Sequence, residues 1–145
     1  MKLTVSGKSA FAYTGTRDFD ATLPTAVFIH GAANDHSVWA LQSRFFAFHG
    51  WNVLALDLPG HGQSEGAPCA TISDYANWVA ALLDAVGVRA AVVIGHSMGS
   101  LTSLELSARR PDLVRKLALL GTEFRWRWVT CCLMRREMMR TKRVS

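Results

Sequence analysis

Four short apolar runs, each closed by a turn residue and separated from the next by residues at helical spacing, constrain this chain more than any other feature. They are "TAVFIHG", "WNVLALDLPG", "AAVVIGHS" and "VRKLALLG". A strand with one wet face alternates apolar and polar residues, whereas a continuous apolar run, as in the first three, marks burial on both faces, the habit of parallel sheets; the last reads simply as a fourth strand. Between the runs, Asn34 or Asp35 caps a helix through Trp39, Leu41, Phe45, Phe46 and Phe48, stopped by His49-Gly50. Ser73 or Asp74 caps a second helix, with Trp78, Leu82, Leu83 and Val86 at helical spacing before Gly87, and "MGSLTSLELSARR" forms a third that Pro111 halts. Upstream, "LTVSGKSAFAYTG" reads as a hairpin whose Ser-Gly-Lys supplies the turn. Strands alternating with helices in this way predict an α/β fold with a mostly parallel sheet and helices on both faces.

A chain of 145 residues can bury one real core. No apolar run reaches the roughly 18 residues of a membrane span, and "MKLTVSG" does not lead into a signal-peptide core, so a soluble, cytoplasmic protein is expected. Cys69, Cys131 and Cys132 are too few and badly spaced for a disulfide framework, and no histidine pair stands near them at metal-ligand spacing. Reduced thiols and no metal are expected.

The net charge of +5 raises the question of an anionic partner. Residues 1–121 hold nine Lys/Arg against nine Asp/Glu, while residues 122–145 hold seven Lys/Arg against Glu123 and Glu137 and so supply the whole excess. The body is neutral, which argues against a nucleic-acid or membrane surface there. The chain therefore divides into residues 1–121, one α/β unit, and residues 122–145, a basic tail of different character.

Where the third apolar run turns into the third helix stands Gly95-His96-Ser97-Met98-Gly99. A strand that becomes a helix within one or two residues crowds its backbone, and glycines two before and two after the apex remove the side chains that would clash. Ser97 would then stand proud of the sheet edge as a nucleophile; the plainer alternative is a tight turn whose serine only caps the helix. An acyl-transfer serine also needs donors for the developing oxyanion, and backbone N–H groups serve because they are fixed before reaction. Met98, at the helix start, is one candidate. Ala32 is the other, since it follows His30-Gly31 at the end of the first buried run and Gly31 lets a substrate oxygen approach the backbone.

"FIHGAANDHSVW", "LALDLPGHGQS" and "VIGHSMGS", in that order and spacing, resemble the α/β-hydrolase superfamily, in particular its bacterial esterases, cofactor-free haloperoxidases and carbon–carbon bond hydrolases. The resemblance runs from about Leu3 to Thr122, the N-terminal part of that fold. It implies a serine hydrolase acting on a small ester-like or related acyl substrate through an acyl-enzyme, without cofactor. Ser97 would be the nucleophile, with Met98 and Ala32 giving oxyanion N–H groups and His30, Gly31, Gly95, His96 and Gly99 supporting them. "DLPGHGQS" is a family landmark that shapes a loop; Asp57 and His61 receive no catalytic role.

In this family the acid and the histidine base follow the nucleophile in chain order. After Ser97 there is no histidine: the five are His30, His36, His49, His61 and His96. Glu123 is a weak candidate acid with no histidine to orient. Impaired activity is therefore expected, and the family's further strands are missing, which would leave "LALLG" as an exposed sheet edge prone to self-association. The alternative is a catalytically inactive fragment, or a binding module whose basic tail contacts anionic membrane or nucleic acid.

The tail packs two of the five Trp and three of the five Met into its residues, yet no single helical face collects the apolar ones. A reading frame that slipped near Glu123 accounts for it. Taking the third base of each codon with the first two of the next, Trp128-Val129 must read Gly, Cys131-Cys132 must read Leu and Met138-Met139 must read Asp, and allowed codons elsewhere complete an acid-rich amphipathic helix like that of related hydrolases. A genuine basic tail is the competing origin.

Overall fold

The computed structural model describes residues 1–122. β1 (Lys2–Val5) and β2 (Lys8–Tyr13) form the expected hairpin. Its two-residue turn is Ser6-Gly7, both left-handed at φ 50° and 77°, the conformation that lets a tight hairpin follow the strand twist. The four apolar runs become β3 (Thr25–Ile29), β4 (Asn52–Asp57), β5 (Ala91–His96) and β6 (Val114–Leu120), and three helices follow from the intervening segments: α1 (Ala40–Phe48), α2 (Ile72–Val86) and α3 (Met98–Arg109).

The sheet order is β1-β2-β4-β3-β5-β6, with β2 antiparallel to β4 and every pair from β4 to β6 parallel. β4 and β5 thus lie on opposite sides of β3, so the strand order reverses there. In an open α/β sheet the crevice beyond the carboxyl ends of the strands at such a reversal is where ligands bind.

Burial on both faces holds for β3, β4 and β5; β6, with one free edge among the described residues, is half-buried or exposed along its length. Ala26, Phe28, Val53, Ala55 and Ile94 pack with Trp39 and Ala47 of the α1 side, while Val27, Ile29, Leu54, Leu56 and Val93 pack with Tyr75, Val79, Leu82 and Leu83 of α2 and Met98 and Leu106 of α3. Each such side chain removed from water stabilises the fold by roughly 1.5–3 kcal/mol before entropy is counted. Two details differ from expectation. Thr71, not Ser73 or Asp74, caps α2: its Oγ1 accepts from the Asp74 N–H at 3.1 Å and donates to the Asp74 carboxylate at 2.7 Å, a pair of bonds that ties down the first turn. Asp35 does cap the segment before α1, but its first turn, His36–Trp39, is a 3-10 helix rather than α.

β6 is the edge of the sheet among the described residues, and Leu119 and Leu120 on it are 39% and 46% exposed. No helix among the described residues is long and apolar enough to cross a membrane.

Candidate active site

The carboxyl ends of β3 and β5 bring two loops together at the reversal point. At the end of β5, Ser97 adopts φ 53° and ψ −118°, a conformation that L side chains rarely adopt, and its side chain is exposed. The glycines around it are there by necessity. A Cβ on Gly95 would sit 2.5 Å from the Ser103 hydroxyl and would overlap the Gly99 carbonyl, and a Cβ on Gly99 would overlap the Ile29 carbonyl and stand 2.6 Å from that of His30. α3 therefore begins pressed against the end of β3, a contact only glycine permits.

The second loop starts at His30-Gly31. A Cβ on Gly31 would be 3.2 Å from both the Ser97 Cβ and the His96 Nδ1, so this backbone lies directly against the serine. The Asn34 N–H donates to the Gly31 carbonyl at 3.3 Å, closing a turn in which Ala33 is left-handed at φ 62°. His30 is fully buried beneath it: Nδ1–H donates to the Gly31 carbonyl at 2.7 Å and Nε2 accepts the Leu58 N–H at 3.1 Å. Burial is the main cause that holds its pKa below the ordinary 6.5, and the bonding pattern requires the neutral ring.

Of the two sequence-expected donors, Met98 follows the serine in the chain and Ala32 follows Gly31, whose backbone lies against it, and neither N–H meets an acceptor among the described residues. Met98 opens α3, whose axis carries partial positive charge at that end. The arrangement offers an exposed hydroxyl beside free backbone N–H groups, which suits attack on a carbonyl and reception of the oxyanion.

The base is another matter. Among the described residues the Ser97 hydroxyl makes no hydrogen bond. His36 Nδ1–H donates to Asp57 at 2.9 Å while its ring lies on Phe11 and Tyr13; His61 donates to the Pro59 carbonyl; His49 donates to the Phe45 carbonyl on α1. His96 is exposed next to the serine, with its ring between Gly31 and Gly121. Glu123 lies outside the described residues, as does the tail. Cys69 is no rival nucleophile, since burial and then the charge of Asp74 push its thiol pKa up.

Asp57 is an organiser that the linear sequence marked only as a family landmark. Fully buried, it accepts from the His36 N–H at 2.7 Å and the Gln63 N–H at 2.8 Å and so joins the loops after β3 and β4. Asp35, His36 and Asp57 converge closely enough to suggest a metal cluster. Their oxygens already hold N–H donors, Asp35 from Ser37 and Asp57 from His36 and Gln63, which accounts for the grouping without an ion.

Comparison with known proteins shows the family. Residues 24–138 match the family described as alpha/beta hydrolase fold, and the chain belongs to that family. It is 38% identical over 96 residues to (E)-2-((N-methylformamido)methylene)succinate hydrolase of Acinetobacter baylyi, covering 66% of this chain and 36% of that one. It is 42% identical over 106 residues to a pimeloyl-acyl-carrier-protein methyl ester esterase of Neisseria meningitidis, covering 70% and 39%. Among solved structures it is similar to a bacterial membrane phospholipase A, with a TM-score of 0.77, 30% identity, and coverage of 85% of this chain and 39% of that chain. The chain spans under two fifths of the length of these curated relatives.

Proposed function

We propose that this chain carries the nucleophile and oxyanion hole of a serine hydrolase acting on a small ester-like or related acyl substrate. Ser97 Oγ attacks the acyl carbon and gives up its proton, the N–H groups of Met98 and Ala32 receive the oxyanion, the bond to the leaving group breaks as that group takes up the proton, and water later cleaves the acyl-enzyme to free the acid and restore the hydroxyl. The observation that carries this reading is the exposed Ser97 at a left-handed apex between two glycines that tolerate no Cβ. The hydrolase and esterase names of its relatives support the same class.

Within these 145 residues no histidine follows Ser97, and a second reading is that they are inactive by themselves. An elbow and oxyanion hole without their base retain about 10³–10⁴ over water, so weak activity is the expectation. A fluorophosphonate probe separates the readings. Slow labelling of the wild type that disappears in Ser97→Ala supports the hydrolase; a folded chain that takes no label supports the inactive fragment. A cytoplasmic location, and self-association through β6, belong to the same proposal.

A further inference from the structure

The first two turns of α3 contain three buried hydroxyls, and each donates to a different carbonyl at the elbow. Ser100 Oγ donates to the Ser97 carbonyl at 2.6 Å, Thr102 Oγ1 to that of Met98 at 3.0 Å and Ser103 Oγ to that of Gly99 at 2.7 Å. All three residues are fully buried. A helical Ser or Thr often bonds back to a carbonyl simply to satisfy its own hydroxyl. The Ser100 bond has a different standing because of the peptide it touches.

The carbonyl of Ser97 and the N–H of Met98 belong to one planar peptide unit. In that unit the carbonyl points into α3, and in a trans peptide the N–H points the opposite way, out of the helix's amino end. The carbonyl accepts three donors: Ser100 N–H at 2.9 Å, Leu101 N–H at 3.3 Å and Ser100 Oγ at 2.6 Å. Donation to one end of a peptide withdraws electron density from the other, so hydrogen bonds in line strengthen each other. On the same residue, the Ser97 N–H donates to the Leu120 carbonyl at 2.9 Å, which fixes the peptide on the other side of the strained apex.

We propose that Ser100 is a positioning residue for the oxyanion hole: its hydroxyl anchors and polarises the Ser97–Met98 peptide, making the Met98 N–H a stronger and better-aimed donor. This rests on the reading of Ser97 as the nucleophile and assigns Ser100 no contact with substrate. A sequence carrying glycine or alanine at this position would form the same turn with a weaker donor.

The test is amide and carbonyl NMR on the full chain, which needs no turnover. Ser100→Ala keeps both backbone donors and removes only the hydroxyl; the Met98 amide proton and the Ser97 carbonyl carbon should both move upfield. Ser100→Cys, a weaker donor of similar shape, should fall between, and Ser103→Ala, whose hydroxyl serves a different peptide, should leave both signals in place. Where the wild type labels with fluorophosphonate, Ser100→Ala should slow labelling by about 3- to 10-fold, the worth of one hydrogen bond. Unmoved Met98 and Ser97 signals in a folded Ser100→Ala chain, or equal movement in Ser103→Ala, overturn the proposal. Absence of labelling in the wild type overturns the hydrolase reading alone, because the NMR signals still report on Ser100.

Discussion

A Cβ on Gly99 would stand 2.6 Å from the carbonyl oxygen of His30, so the start of α3 and the end of β3 are in backbone contact. Neither partner is a side chain that can rotate away. Gly99→Ala should therefore cost about 2–3 kcal/mol, read as a lower urea midpoint. Gly7→Ala is the control: its Cβ meets nothing within 4 Å and it pays only for φ 77°, about 1 kcal/mol. Equal costs at the two positions would refute the contact argument.

Ser97 holds its strained conformation without any side-chain hydrogen bond to compensate among the described residues. Ser97→Gly should relieve strain of order 1–3 kcal/mol while adding freedom to the unfolded chain, for a net gain of about 1 kcal/mol. Ser97→Ala should give no such gain. Denaturant unfolding of the three chains decides it, and a Ser97→Gly chain no more stable than wild type would mean that the elbow is relaxed.

The buried His30 makes stability depend on pH with a defined sign. Its folded pKa is lower than the 6.5 of the unfolded chain, so the unfolded state binds the proton first. The stabilisation is complete above pH 6.5, declines as pH falls below it, and levels off once the folded ring also protonates. His30→Gln should flatten this decline relative to wild type in unfolding measured between pH 7 and 5. The carboxylates that fold with lowered pKa values, Asp35 and Asp84 among them, act at more acid pH and leave this window clear. An unchanged slope in the variant would exclude His30 as its source.

At the sheet edge, Leu119 and Leu120 sit on a strand whose outer backbone groups meet no strand among the described residues. An edge of this kind recruits another chain unless charge guards it. Sedimentation velocity should show concentration-dependent association of the wild type, reduced when Leu119→Lys and Leu120→Lys are combined. A wild type monomeric at every concentration would remove β6 as a docking edge.

Legibility in the sequence followed the range of the interactions involved. The three buried strands β3, β4 and β5 announced themselves because burial on two faces leaves continuous apolar runs, as in "NVLALD" of β4, whereas β6, an edge strand, is half-buried or exposed along its length. The Gly95-to-Gly99 elbow was readable for the same reason: its crowding is local and leaves glycines at fixed offsets. The α2 cap is not legible in the sequence, because Thr71, Ser73 and Asp74 are all good cap types and only geometry selects Thr71. Asp57 joining two loops and His30 accepting from Leu58 depend on residues 21 to 28 positions away, for which no local spacing exists. The direction of the Ser100 hydroxyl was equally hidden, since a serine after the elbow reads as one more small helix residue.

The bond from the Ser97 N–H to the Leu120 carbonyl makes Ser97 a monitor of the sheet's edge. That amide can trade its proton for deuterium only when the end of β6 lifts from β5. Its exchange rate is consequently a clock for fraying of the edge strand, and a second chain or domain that clamped β6 would stop the clock without touching the serine.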